Sequence, residues 1–90
     1  MSIVWTPEAV HDRTAIYHYI DAENPLAAIR IDSSFSKKIK ALLEYPNIGK
    51  PGRVTGTREL VVHSNYVVIY DIAGTQIRIL RILHTAQKWP

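Results

Sequence analysis

The sequence contains no cysteine. Disulfides, thiolate zinc sites and thiol nucleophiles are therefore excluded from the start. No apolar run approaches the length of a bilayer span, because charge interrupts each one. Met1 is followed by neither a basic n-region nor an apolar h-region, so a secretory signal is not expected and a cytoplasmic location is. Acidic residues are scarce in one half only. Residues 1–46 carry five Lys/Arg against six Asp/Glu, whereas residues 47–90 carry six Lys/Arg against only Glu59 and Asp71. The excess of +4 in the second half suits an acidic or polyanionic partner, although basic residues also simply solubilise a sheet face.

Chemical signatures are also missing. No glycine pattern follows a strand and opens a helix, as nucleotide-phosphate binding requires. No serine sits in a nucleophile elbow. His11, His18, His63 and His84 lack metal-ligand spacing, since His11 and His18 lie two helical turns apart; no metal and no cofactor is expected.

Ninety residues and an ordinary apolar fraction of 47% describe one domain, residues 1–90. Ser2 to Trp5 is a short β-prone run, and Thr6-Pro7-Glu8 supplies a hydroxyl cap, proline at the first helical position and an early acid. Ala9, Arg13, Ile16 and Ile20 then recur at helical spacing up to about Ala22, with the arginine breaking the stripe. Asn24-Pro25 repeats the punctuation. Ala28, Ile31, Phe35, Ile39 and Leu42 line one face of a second helix, expected to end near Tyr45-Pro46. So short a link makes the two helices a hairpin.

Asn47 to Gly56, with three glycines, one proline and two cations, reads as a loop. Arg58–Val62, Tyr66–Ile72 and Gln76–Leu83 read as strands separated by turns at His63-Ser64-Asn65 and Ala73-Gly74. Short turns imply an antiparallel meander, and the near-continuous apolar third strand implies a central position, buried on both sides for part of its length. The fold class is α+β: β-α-α-β-β-β, with the helical hairpin packed on one face of a small, mostly antiparallel sheet. Tyr66 and Tyr70 share a sheet face by alternation and are assigned to the core.

Candidate functional residues lie in the basic half. His84 closes the last strand and suits general acid–base work near neutral pH, or a local hydrogen bond. Arg53, Arg58 and Arg81 suit phosphates or acidic side chains. Arg81 interrupts an apolar strand and so requires a partner or an exposed face. Trp89, beside Lys88, can stack on a base, dock on a partner or fold back on the sheet; the last two are favoured.

The segments IVWTPEAVHDRTAIYHYI, GKPGRVTGTREL, RELVVHSNYVVIYDI and RILHTAQKWP together resemble the RelE/ParE superfamily of bacterial toxins, over essentially the whole chain. The resemblance implies a helical hairpin on a small sheet and a toxin of a type II toxin–antitoxin system. It implies a cognate antitoxin as partner, in a toxin–antitoxin hetero-oligomer, and no membrane association. Two targets occur in the superfamily: DNA gyrase for ParE-type members and ribosome-bound mRNA for RelE-type members. Tyr66-Val67-Val68-Ile69-Tyr70 matches a strand motif in which RNA-cutting members place arginine where this chain has Val67. Arg58 matches a position that RelE members fill with lysine, and GKPGRVTG lacks a glutamate that some relatives carry. The Asn65-Tyr66 strand start and the ending around His84 resemble ParE more closely. ParE-like inhibition of gyrase is therefore the leading expectation. A RelE-like endonuclease using His84, Arg58 and Arg81 is the alternative, and a binding module without toxicity is a further one. Arg53, Arg58, Arg81, Lys88 and Trp89 are the expected target- or antitoxin-binding residues.

Overall fold

The computed structural model describes residues 1–90. The elements run β1 (Ser2–Trp5), α1 (Pro7–Asp21), α2 (Pro25–Ala41), β2 (Lys50–Pro51), β3 (Thr57–His63), β4 (Tyr66–Ala73) and β5 (Gln76–His84). They form one five-stranded sheet in the order β1-β5-β4-β3-β2, with the helical hairpin on one side. β3, β4 and β5 are the expected antiparallel meander, while β1 pairs parallel to β5.

Both helices start where the punctuation places them. The Thr6 hydroxyl accepts from the Ala9 N–H at 3.1 Å and donates to the Leu80 carbonyl at 2.9 Å, so the cap of α1 is also stitched to β5. Asn24 Oδ1 caps α2 by accepting from the Ala27 N–H at 3.1 Å. The helix stops at Ala41, earlier than Tyr45-Pro46; turns carry the chain on to Glu44. Ala28, Phe35, Ile39 and Leu42 are buried as their spacing predicts. Arg13, the break in the α1 stripe, is explained by three partners. Its guanidinium bonds the Asp32 carboxylate at 2.7 and 3.1 Å, reaches Ser36 at 2.7 Å, and lies 5.3 Å from the Trp5 ring centroid. It clamps α1 to α2 from the side of the hairpin.

The core lies between hairpin and sheet. Phe35, Leu42, Val68, Tyr70, Ile77, Ile79 and Ile82 are its most completely buried large members, each worth about 1.5–3 kcal/mol of apolar burial. Tyr70 adds polar order. Its hydroxyl accepts from the buried Gly49 N–H at 2.9 Å and donates to the Pro46 carbonyl at 2.7 Å, pinning the loop that leaves α2. A Cβ at position 49 would lie 2.7 Å from the Tyr70 ring, so only glycine permits that approach.

Two departures from the sequence reading have physical causes. First, the stretch 47–56 is not wholly loop: Lys50 and Pro51 pair antiparallel with Glu59 and Arg58. Proline is tolerated there because β2 is the edge strand. Second, the apolar run of β5 contains a bulge; as expected, part of the strand is buried on both faces, with Ile82 on the helix side and Leu83 on the outer side. Ile69 opposes Arg81 while its neighbour Tyr70 opposes Ile79, which leaves Leu80 as the extra residue. Ile77 and Ile79 therefore face the helices, and after the bulge Ile82 does so as well. Position in the sheet is interior, between β1 and β4.

Candidate functional site

The sheet separates the predicted site residues. Pairing puts Arg58, Leu60, Val68 and Tyr70 on the helix side, and Glu59, Val61, Val67, Ile69, Arg81 and Leu83 on the outer side. Arg58 is consumed structurally: its Nη1 donates to the carbonyls of Gly49 at 2.7 Å and Asn47 at 3.2 Å, holding the same loop as Tyr70. His84 lies at the end of the sheet near the helices, edge-on to Tyr66 with ring centroids 5.5 Å apart. Its Nδ1 accepts from the Ala86 N–H at 3.1 Å, and its own backbone N–H donates to Gln87 Oε1 at 2.7 Å.

Arg81 curls over the sheet edge to α1. Its Nε and Nη2 donate to the two Asp12 oxygens at 2.7 and 3.0 Å, and Asp12 Oδ2 also accepts from the Ile82 N–H at 3.0 Å. Hydrogen bonding to Asp12 raises the Arg81 pKa further above its already high value. Arg78 is raised in the same way by Asp71, across the outer face. Arg58, Arg81 and His84 therefore do not converge on one point.

Arg53 and Trp89 do come together. They border a small outer-face cleft, of about 200 Å³, with Lys50, Glu59, Val67 and Gln87 on its walls. Cross-strand pairing sets Lys50 directly opposite Glu59, and the Arg53 backbone N–H donates to Glu59 Oε2 at 3.2 Å. Ile69 and Leu83 are buried on this side without belonging to the helix-side core. The half-buried Trp89 has thus folded back beside the sheet, while Lys88 remains exposed. A carboxylate, two cations and an indole around a concave apolar floor can hold a phosphodiester and stack a base.

Lys50 and Glu59 were not singled out from sequence. Lys50 sits in a stretch read as loop, and only the β2–β3 pairing brings it opposite Glu59. The available signal was weak: Glu59 and Asp71 are the only acids in the basic half. Tyr66 differs again. Burial, with Tyr19 adding to it, raises its phenol pKa, as befits a core residue whose ring packs edge-on against Phe35 at 5.8 Å.

The sequence matches the family model described as "ParE toxin of type II toxin-antitoxin system, parDE" over residues 3–89. The chain belongs to this family. It is a RelE/ParE-family toxin, the toxin component of a bacterial type II toxin–antitoxin system. It is 41% identical to Toxin RelE2 of Caulobacter vibrioides over 85 residues, covering 94% of this chain and 96% of that one. A structure of the chromosomal ParDE system from P. aeruginosa superposes with TM-score 0.81 at 31% identity, covering 93% of this toxin and 95% of that chain. The YoeB/ParE toxin of Agrobacterium tumefaciens, at 15% identity and TM-score 0.67 over 93% and 98% of the two chains, shares the fold. No helix of this toxin is long and apolar enough to cross a membrane.

Proposed function

We propose that this toxin, when free of its antitoxin, arrests growth by cutting mRNA on the ribosome through the outer sheet face. The observation that carries this reading is the grouping of Glu59 with Lys50 and Arg53 beside Trp89. In this scheme Glu59 takes the proton from a ribose 2′-OH as that oxygen bonds to phosphorus. Arg53 and Lys50 stabilise the crowded phosphate, and the departing 5′-oxygen takes a proton from Lys50. Trp89 stacks on a neighbouring base. The set differs from Arg58, Arg81 and His84, whose side chains hold a loop, an edge and a tail. It also supplies cations on the face where Val67 carries none. Similarity to a protein named RelE2 along nearly the whole chain supports the same direction. The antitoxin is expected to bind as the partner; a solved relative at 19% identity is a YoeB–YefM complex, and the +3 charge favours an acidic tail.

Two observations favour a second reading, inhibition of gyrase: the matching family model is that of ParE toxins, and an apolar Val67 suits binding better than catalysis. Two assays decide. In a reconstituted translation reaction, the toxin should produce new transcript ends at ribosome-occupied codons, and Glu59→Gln should abolish them. Unchanged transcripts, together with loss of supercoiling by purified gyrase, would replace the first reading with the second. Unimpeded growth during expression without antitoxin would refute both targets for this chain.

A further inference from the structure

The outer-face cleft is longer than one phosphate needs. It crosses the sheet from Lys50 on β2 and Glu59 on β3, over Leu83 on β5, to Thr85 and Gln87 just past that strand. β2 and β5 lie three strand spacings apart, about 14 Å. The charged side chains that line the cleft are Lys50, Arg53 and Glu59, whereas Thr85 and Gln87 make its far end polar but neutral. Neutral polar groups in a cleft that also holds an indole suit a base rather than a phosphate.

Gln87 is the more discriminating of the two. Its backbone N–H donates to the His84 carbonyl at 2.8 Å, and its Oε1 accepts from the His84 N–H at 2.7 Å. A backbone N–H can only donate, so the side-chain amide has to turn its oxygen toward it. The NH2 group bonds no protein atom and is what Gln87 can offer a ligand. An unconstrained glutamine reads adenine with both ends of its amide, one on N6 and one on N7. With the oxygen held against β5, the amide presents a donor instead. Guanine offers two adjacent acceptors, O6 and N7, and meets that donor without conflict, whereas the N6 amino group of adenine sets donor against donor. The Thr85 hydroxyl both donates and accepts, and so discriminates less.

We infer, on the cleavage reading above, that Gln87 is a specificity residue: it selects guanine over adenine at a base beside the phosphate that is cut. Trp89 supplies stacking, which every base accepts, and the pinned amide of Gln87 supplies the choice.

The test maps transcript ends over a library of codons in a reconstituted translation reaction, with the full-length toxin and, on the same ribosomes, with Gln87→Glu and Gln87→Ala. At one fixed position beside the cut, wild-type ends should carry guanine over adenine by about tenfold. In Gln87→Glu one carboxylate oxygen keeps the His84 bond and the other accepts, so the preference should turn toward adenine. Gln87→Ala should bring it near even, and carries the test if the glutamate variant fails to fold. Cutting without a guanine preference would overturn the assignment and leave the cleavage reading standing. So would a preference that both variants keep while cutting every codon more slowly, because Gln87 would then only hold the tail. No cutting by the wild-type toxin removes both.

Discussion

The two faces of this sheet use the same strands for opposite ends. The helix side buries Phe35, Leu42, Val68, Tyr70, Ile77 and Ile79 almost completely, and even its polar members serve the scaffold: Tyr70 and Arg58 both hold the loop after α2. The outer side carries Lys50, Glu59, the Asp71–Arg78 pair and the Trp89 cover, with few internal bonds among them. The lesson concerns arginine. Arg58 and Arg81 both suit an anionic ligand in sequence, with Arg81 also expected to need a partner; the structure spends Arg58 on backbone carbonyls and Arg81 on Asp12. Of these three arginines, exposed Arg53 is the one left for a ligand, beside exposed Lys50.

If that division holds, changes on the two faces should separate stability from activity. The largest stability effect is expected from Phe35→Ala, which should destabilise the fold by about 3–5 kcal/mol, measured by urea unfolding. Such a loss is a large part of the 5–15 kcal/mol that holds a typical domain together. On the outer face, Glu59→Gln should lower the rate of RNA cleavage by about 10²–10⁴-fold. Its unfolding midpoint should move little, because the amide oxygen still accepts from the Arg53 N–H. A variant that lost both activity and stability would break the comparison, since it would make Glu59 part of the scaffold.

A smaller effect sharpens the inner face. Tyr70→Phe keeps the ring and removes the hydroxyl, leaving the buried Gly49 N–H without its acceptor, at a cost of about 1–3 kcal/mol. Smallest is the pH effect of Tyr66. Its folded pKa lies above the 10.0 of an unperturbed phenol, so the unfolded chain releases its proton first as pH rises. Stability from this group is therefore complete below about pH 10 and declines above it, through the folded value. Tyr66→Phe should flatten that part of the alkaline unfolding curve while leaving the neutral midpoint nearly unchanged.

Much of the fold was legible because its signals are local. Thr6-Pro7 and Asn24-Pro25 start helices through contacts within three residues. The α2 stripe from Ala28 to Leu42 and the alternation of Tyr66 and Tyr70 predict their own burial. The bulge at Leu80 was hidden, because it shows only in how β5 pairs with β4, where Ile69 opposes Arg81 and Tyr70 opposes Ile79. The candidate site was less legible still. Arg53 and Trp89 were visible as a cation and an aromatic, but nothing local put them beside each other or set Lys50 against Glu59.

What the sequence by itself determined is the family scaffold, a basic second half and the absence of thiol chemistry: composition, periodicity and punctuation act over a few residues. What only the tertiary structure decided is which cations are free. That depends on pairings such as Asp12 with Arg81, 69 residues apart, and on the strand register that turns each side chain to one face or the other. Such pairings follow from the packing of the whole chain, because a charge finds its partner only after the core has brought the two elements together.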